Sequence, residues 1–118
     1  MDPTSDPGSD MAVFRILEAK ARPGAVDRVA ELLVRQNDEV VASAAGALFS
    51  QALRSGDQVL AVSSWANVED MQRYLEQEVT QEFYRALPEL LMGTPSIRTY
   101  EEIGRGDDGG WAGTGGRP

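Results

Sequence analysis

The sequence predicts a small α+β fold whose strands and helices follow one another in the order β-α-β-β-α-β. Three observations predict it. Four short stretches are rich in residues that favour strands. Two longer stretches place apolar residues at helical spacing, and glycine and proline signals separate the elements. This order is typical of the ferredoxin-like, split βαβ fold, in which one four-stranded antiparallel sheet carries its helices on one face.

The first half of the folding unit is predicted to be a strand followed by a helix. The strand covers residues 11–20, where apolar side chains fall on both faces. Pro23 and Gly24 indicate a turn. Helical spacing then predicts a helix over residues 25–43, whose apolar residues form one stripe: Val26, Val29, Ala30, Leu33, Val40 and Val41.

A β-hairpin is predicted in the middle of the chain. Gly46 ends the helical region, and strands are predicted over residues 47–54 and 59–65. Ser-Gly-Asp at positions 55–57 is typical of the tight turn that joins two antiparallel strands. The two strands are therefore expected to pair with each other.

The second helical region begins after the hairpin. Asn67 is a plausible N-cap for a helix over residues 68–79, with an acidic residue three positions later as in a capping box. Thr80 is predicted to cap a further helical piece through residue 91. Pro88 should break or kink that piece, because proline lacks the backbone donor that a helix interior requires.

The folding unit is predicted to cover residues 11–103, with its last strand at 96–103. Residues 1–10 are polar and acidic, and residues 104–118 are dominated by glycine. Both tails are predicted to be disordered. A G-x-G-x-x-G pattern begins at Gly104, but no helix follows to receive a pyrophosphate, so no dinucleotide site is predicted.

Composition excludes several classes of function. The 118-residue chain has no histidine and no cysteine, which removes thiolate chemistry, disulfides and imidazole metal ligands. We therefore predict no cofactor and no bound metal. A net charge of −8 disfavours binding to nucleic acids and to anionic membranes. The acidic N-terminus does not resemble a signal peptide, so a cytoplasmic location is predicted.

The strands carry apolar residues on both faces of the predicted sheet. In the third strand Leu60 and Val62 point one way, and Val59, Ala61 and Trp65 point the other. Two helical regions can cover only one face. An uncovered apolar face is unusual for a soluble monomer, so a two-fold homodimer with the sheets packed face to face is predicted.

Five residues near the second helical region are candidates for a ligand site. Trp65 ends a strand, and its indole could form the wall of a pocket for a flat aromatic ligand. Tyr74 and Tyr84 combine an apolar ring with a hydrogen-bond donor. Arg85 could pair with an oxyanion or a phenolate. Phe83 is expected to face the sheet. Each of these side chains also has a plain alternative as core, interface or exposed surface.

The order of elements and several residues resemble the antibiotic biosynthesis monooxygenase family of dimeric α+β barrels. The resemblance is carried by the strand-ending Trp65, the Asn67 cap and the sequence LPELLMG at positions 87–93. It implies a homodimer with a pocket between sheet and helices in each subunit. It also implies, from several members, oxidation of aromatic polyketides such as anthrones by O2 without metal or flavin.

The residues of the family carry over only in part. Trp65 stands at the strand-ending tryptophan, and Arg85 falls near an arginine of the anthrone-oxidising members. A strand asparagine of those members is replaced by Ala61 and a helix tyrosine by Met71.

The haem-degrading branch fits less well. Its axial histidine falls near Tyr84, its pocket tryptophan at Tyr74 and its first-strand asparagine at Leu17. The loss of all three argues against that branch.

The leading hypothesis is a cofactor-independent monooxygenase that acts with O2 on a small aromatic, polyketide-like substrate in secondary metabolism. The proposed catalytic residues are Tyr74, Tyr84 and Arg85. The proposed substrate-binding residues are Trp65, Leu17 and Phe83. No general base stands out, because a tyrosine with a pKa near ~10 is protonated at neutral pH. Two alternatives stay open: a non-catalytic ligand-binding barrel, and a cyclase or isomerase acting on a related polyketide.

Overall fold

The computed structural model describes residues 12–104 and confirms the predicted α+β, ferredoxin-like order. Two short 3-10 helices supplement the regular elements. The strands and α-helices are β1 (Val13–Lys20), α1 (Val26–Glu39), β2 (Ala47–Ser55), β3 (Gln58–Trp65), α2 (Val68–Glu76), α3 (Glu78–Ala86) and β4 (Ser96–Glu101). No helix within these residues has the length and apolar character needed to cross a membrane.

One antiparallel sheet holds all four strands in the order β2-β3-β1-β4. β1 is central and pairs with β3 on one side and with β4 on the other. In this register Leu17 lies opposite Ala61 and Ile97, while Arg15 lies opposite Ser63 and Thr99. Because side chains alternate along a strand, these residues share the face that packs against the helices. We call it the covered face, and the opposite one the open face.

The predicted hairpin is confirmed. Ser55 pairs with Gln58, so Gly56 and Asp57 form a two-residue turn between β2 and β3. The connection before β2 depends on Gly46, whose φ of +81° is strained for other residues. A Cβ atom at position 46 would clash with the Asp70 carboxylate. Glycine is therefore required there both by its backbone conformation and by the close approach of α2.

The predicted cap of α2 is confirmed, but the predicted cap of α3 is wrong. The Asn67 side chain accepts a 2.8 Å hydrogen bond from the Asp70 backbone N–H. α2 ends at Glu76, where Gln77 becomes extended with ψ of 142° and serves as the N-cap of α3. Thr80 instead lies inside α3, fully buried, with its hydroxyl accepting a hydrogen bond from Gln36.

Two other helix ends differ from prediction. α1 stops at Glu39 and a separate 3-10 helix, Val41–Ser43, completes the stretch predicted as one helix. The predicted break near Pro88 is confirmed: α3 ends at Ala86, and proline opens the 3-10 helix Pro88–Leu90. That position suits proline because the first residue of a helix has no intrahelical acceptor for an N–H.

The core consists of two clusters on the covered face. The larger one joins the sheet to α1 and the segment after α3, and it consists of Leu17, Ala19, Ala21, Val29, Leu32, Leu33, Val59, Leu87 and Leu91. The smaller one lies at the other end of the sheet, around Trp65, and consists of Val40, Val41, Trp65, Met71 and Tyr74. The candidate site lies between the two clusters.

Candidate functional site

A small cavity lies between the covered face and the helices. Its volume is about 30 Å³, enough for about two water-sized groups. Its polar lining comes from β1, α1, β3, α2 and α3 and consists of Arg15, Gln36, Asn37, Ser63, Tyr74 and Tyr84. Its other lining residues are apolar: Leu17, Leu33, Val41, Ala61, Val62 and Phe83.

Arg15 is the one charged residue in the described lining of the cavity. β1 directs it into the covered face, opposite Ser63 of β3. None of the ion pairs formed among residues 12–104 includes it, and its Nε atom is buried without a hydrogen-bond partner. Burying part of a guanidinium without an anion is costly, so this N–H is an unsatisfied donor at the cavity.

Tyr84 is the only described partner of the Arg15 guanidinium. Nη2 of Arg15 donates a 3.2 Å hydrogen bond to the Tyr84 hydroxyl oxygen, and the guanidinium carbon lies 5.6 Å from the centre of the phenol ring. The Phe83 ring packs edge-on against Tyr84 with the ring centres 5.0 Å apart. Since the Tyr84 oxygen accepts from Arg15, its own proton is free to be donated elsewhere.

Tyr74 is held more tightly than Tyr84. Nε2 of Gln36 donates to the Tyr74 hydroxyl at 2.9 Å and to the Thr80 hydroxyl at 3.3 Å, which ties α1 to both later helices. Burial raises the pKa of Tyr74 to about 12, since it disfavours the phenolate, and the hydrogen bond from Gln36 offsets only part of this effect. Tyr74 is therefore a proton donor at neutral pH.

The cavity can bind an oxyanion but contains no group suited to act as a base. Arg15, Tyr74 and Tyr84 are all donors, and no carboxylate is among the described residues that line it. Such a set stabilises negative charge on oxygen. Elsewhere too, the described residues include no cluster of three or more carboxylates placed to hold a metal ion.

The structure places Trp65 behind the cavity rather than at its surface. The indole is fully buried and its ring centre lies 4.9 Å from that of Tyr74. Its Nε1 donates a 3.0 Å hydrogen bond to the Ser63 hydroxyl. Trp65 therefore supports two lining residues but does not itself line the cavity.

The other predicted site residues divide into two groups. Leu17, Phe83, Tyr74 and Tyr84 meet at the cavity. Arg85 does not: its side chain is exposed and pairs with Glu78 on the outer surface of α3 at 3.3 Å.

Arg15 and Gln36 also line the cavity, and neither is among the site residues predicted from the sequence. Arg15 interrupts an apolar strand, and Gln36 lies on the buried side of α1 with Leu32 and Leu33. A polar residue in an apolar pattern was the signal available for both.

A larger groove lies outside the cavity, between α1 and α3. Its volume is about 370 Å³, within the usual range of small-molecule sites. Its lining is mixed: Leu32, Val40 and Val79 are apolar, whereas Arg28, Arg35, Glu39 and Glu82 are charged. Gln36 and Phe83 line both the groove and the inner cavity, so these two side chains form the wall between them.

Comparisons with known proteins support the fold assignment. No protein-family model matches the sequence, and no curated protein is similar enough to count as a relative. Among solved structures, Rv0793 from Mycobacterium tuberculosis superposes with a TM-score of 0.75 at 13% identity, covering 81% of this chain and 99% of that one.

Two further structures carry provisional names as antibiotic biosynthesis monooxygenases. The protein from Caulobacter crescentus has a TM-score of 0.73 at 13% identity, covering 86% of this chain and 99% of that one. The protein from Chloroflexus aurantiacus has a TM-score of 0.66 at 16% identity, covering 81% and 97%. The chain has the fold of these proteins. The resemblance predicted from the sequence is therefore confirmed at the level of the fold.

Proposed function

We propose that the protein is a cofactor-independent monooxygenase that acts with O2 on a small, electron-rich aromatic substrate. The observation that carries the proposal is the set of hydroxyl and guanidinium donors around an otherwise apolar cavity. Its fold is shared with proteins provisionally named as monooxygenases. A cytoplasmic location and a role in secondary metabolism are part of the same proposal.

The proposed reaction needs no base from the protein if the substrate is acidic. A phenol whose ring bears an activated CH2 loses that proton to water, and the carbanion transfers its electrons to O2 as a C–O bond forms. Tyr74 or Tyr84 donates a hydrogen bond to the developing oxyanion. The peroxide takes up a proton, and the remaining C–H bond of the former CH2 then breaks as the O–O bond cleaves, so that this proton and the departing hydroxide leave as water. One oxygen atom remains as a carbonyl, and the other is released as water.

Oxygen uptake tests this proposal directly. We expect protein treated with a chelator to consume O2 with at least one member of a panel of anthrones and naphthoquinols, faster than the same solution without protein. Tyr84→Phe should lower kcat by about 10²-fold, as loss of an oxyanion donor does elsewhere. Tyr100→Phe is the matched control, because Tyr100 lies opposite Phe14 on the open face and does not line the cavity. Uptake no faster than autoxidation with every substrate would refute the proposal.

A ligand-binding protein without turnover is the second candidate. It is favoured by the absence of a base from the described cavity lining and by the raised pKa of Tyr74, to about 12. This candidate predicts saturable binding of the same aromatic compounds with no oxygen uptake. An isomerase or cyclase would instead give a product whose mass equals that of the substrate.

We further propose that the protein is a homodimer that buries the open face. Phe14 and Phe49 lie there with ring centres 6.3 Å apart. Phe49, Leu53 and Tyr100 are 43%, 45% and 48% exposed. Patches of this kind are uncommon on monomers, and a second copy presents the same face across a two-fold axis.

Sedimentation velocity tests the dimer. The wild-type protein should sediment at twice the chain mass of 12.8 kDa, and Phe49→Lys should shift it to the monomer because a charge cannot be buried there unpaired. Val34→Lys is the control, since Val34 is similarly exposed, at 49%, but lies on α1. A monomeric wild type at micromolar concentration would contradict this part of the proposal.

A further inference from the structure

The inner cavity is too small for an aromatic ring, yet its donors are arranged for an anion. Its volume of about 30 Å³ matches about two water-sized groups, which is the size of the two oxygens of a carboxylate or of a chelating enolate. Arg15 is the cation that would recognise them, because its buried Nε–H has no partner among the described residues.

The charge of the cavity lining also favours an anionic ligand. The chain as a whole carries a net charge of −8, but the described cavity lining includes an arginine and no carboxylate. An anion entering the cavity satisfies the orphan N–H and neutralises the guanidinium, whereas a neutral ligand of the same shape leaves the charge uncompensated. The cavity therefore selects for charge more than for shape.

The groove between α1 and α3 supplies the space that the cavity lacks. Its volume of about 370 Å³ accommodates a ring system of two or three rings. Val79 and Leu32 form apolar parts of its lining, and Phe83 separates it from Arg15 and Tyr84. Gln36 and Phe83 line both compartments, so a ligand that occupies both requires the Phe83 ring to move aside.

We propose that the cavity and the groove form one two-compartment site for planar aromatic oxyanions. In this site the anionic oxygens bind Nε of Arg15 and the ring system lies in the groove. The Phe83 ring, which separates the two compartments, moves aside. The assignment of an aromatic body rests on the proposed monooxygenase function. Arg15 acts as the specificity-determining residue for the anionic group.

Equilibrium binding measured by titration calorimetry under nitrogen tests this site without turnover. The probes are 2-naphthoate and 2-naphthamide, which share a shape and differ in charge. Wild-type protein should bind the naphthoate ~10-fold or more tightly than the naphthamide, because the amide oxygen can accept the same hydrogen bond but carries no negative charge to pair with the guanidinium. Arg15→Gln should bring the two affinities within about twofold of each other by weakening naphthoate alone. Retained naphthamide binding shows that this variant is folded.

Matched variants test the charge and the groove separately. Arg22→Gln removes the same charge from an exposed turn and should leave the preference intact. Val79→Trp fills the groove and should weaken both probes ~10-fold without changing their ratio, while Val68→Trp, at a similarly exposed valine on α2, should change neither.

Three results would overturn the two-compartment site. They are no saturable naphthoate binding in the millimolar range, equal wild-type affinities for the two probes, or equal effects of Arg15→Gln and Arg22→Gln. Binding as predicted with no oxygen uptake from any phenol would refute the proposed function and leave this inference standing.

Discussion

Each face of the sheet carries a few residues that a half-exposed sheet does not usually place there. The covered face lies under three helices, yet β1 and β3 direct Arg15 and Ser63 into it. None of the helices within residues 12–104 covers the open face, yet this face presents Phe14, Phe49 and Leu53. Antiparallel sheets with one solvated face ordinarily place polar residues outside.

These exceptions indicate what each face is for. Buried polar groups cost stability unless they are satisfied, and Nε of Arg15 is not satisfied within the described residues. Apolar side chains that stay exposed to water contribute no hydrophobic stabilisation. A ligand on one side and a second subunit on the other would remove both costs, so the predictions that follow probe the two faces in turn.

Paired leucine substitutions should give the largest difference between the faces. Leu17→Ala removes a side chain that is 3% exposed on the covered face and should lower the unfolding free energy by ~2–5 kcal/mol. Leu53→Ala on the open face should cost less than ~1 kcal/mol in dilute monomer. Urea denaturation of both variants measures this. If the two losses are equal, Leu53 is already buried, as it would be in a dimer. The midpoint of urea unfolding must then depend on protein concentration.

High pH should expose the burial of Tyr74. Its pKa is raised from 10.0 to about 12, so between these values the unfolded chain loses this proton while the folded protein keeps it. Stability therefore falls as pH rises through this window, by roughly 2–3 kcal/mol from Tyr74 alone. Comparing wild type with Tyr74→Phe isolates the effect, because Tyr74→Phe lacks this part of the slope. Identical slopes would show that Tyr74 ionises normally.

Replacing Gln36 should lower the free energy of unfolding by slightly less than the ionisation of Tyr74 does. Gln36→Leu leaves the buried hydroxyls of Tyr74 and Thr80 without their donor and should cost ~1–3 kcal/mol. Tyr74→Phe in the same background should recover part of that loss, since it removes one stranded hydroxyl. A double-mutant cycle measures the coupling. If the stability losses of the two single variants simply add in the double variant, Gln36 and Tyr74 do not interact, and the hydrogen bond between them is contradicted.

The N-cap of α2 should have the smallest effect. Asn67→Ala removes the acceptor of the Asp70 N–H and should lower stability by ~1 kcal/mol, whereas Asn67→Asp should be nearly neutral. Thermal unfolding of the three proteins checks this. An alanine variant as stable as wild type would mean that water replaces the cap at no cost.

The fold could be predicted from the sequence because its signals are local. The 55–57 turn signal sets the hairpin, Asn67 caps a helix and Pro88 ends one. The break between α2 and α3 is predicted at Thr80, three residues too late. It occurs at Gln77, without the glycine or proline that usually marks such a point, so tertiary packing decides it.

The site could be predicted only in part because it depends on which way each side chain turns. Tyr84 and Arg85 are neighbours in sequence, but consecutive helical residues point in different directions. α3 therefore turns Tyr84 into the cavity and Arg85 to the surface. Arg15 supplies the cation instead, and its role follows from register with β3 rather than from any motif.

Reaction of the protein with a phenolic substrate under 18O2 tests most directly whether the donors of the covered face carry out the chemistry. One 18O atom should appear in the organic product. Tyr84→Phe should lower the rate of its incorporation by about 10²-fold, whereas Tyr100→Phe should leave the rate unchanged. A product free of 18O, or equal rates for the two tyrosine variants, would contradict the claim that the donors of the covered face carry out the chemistry.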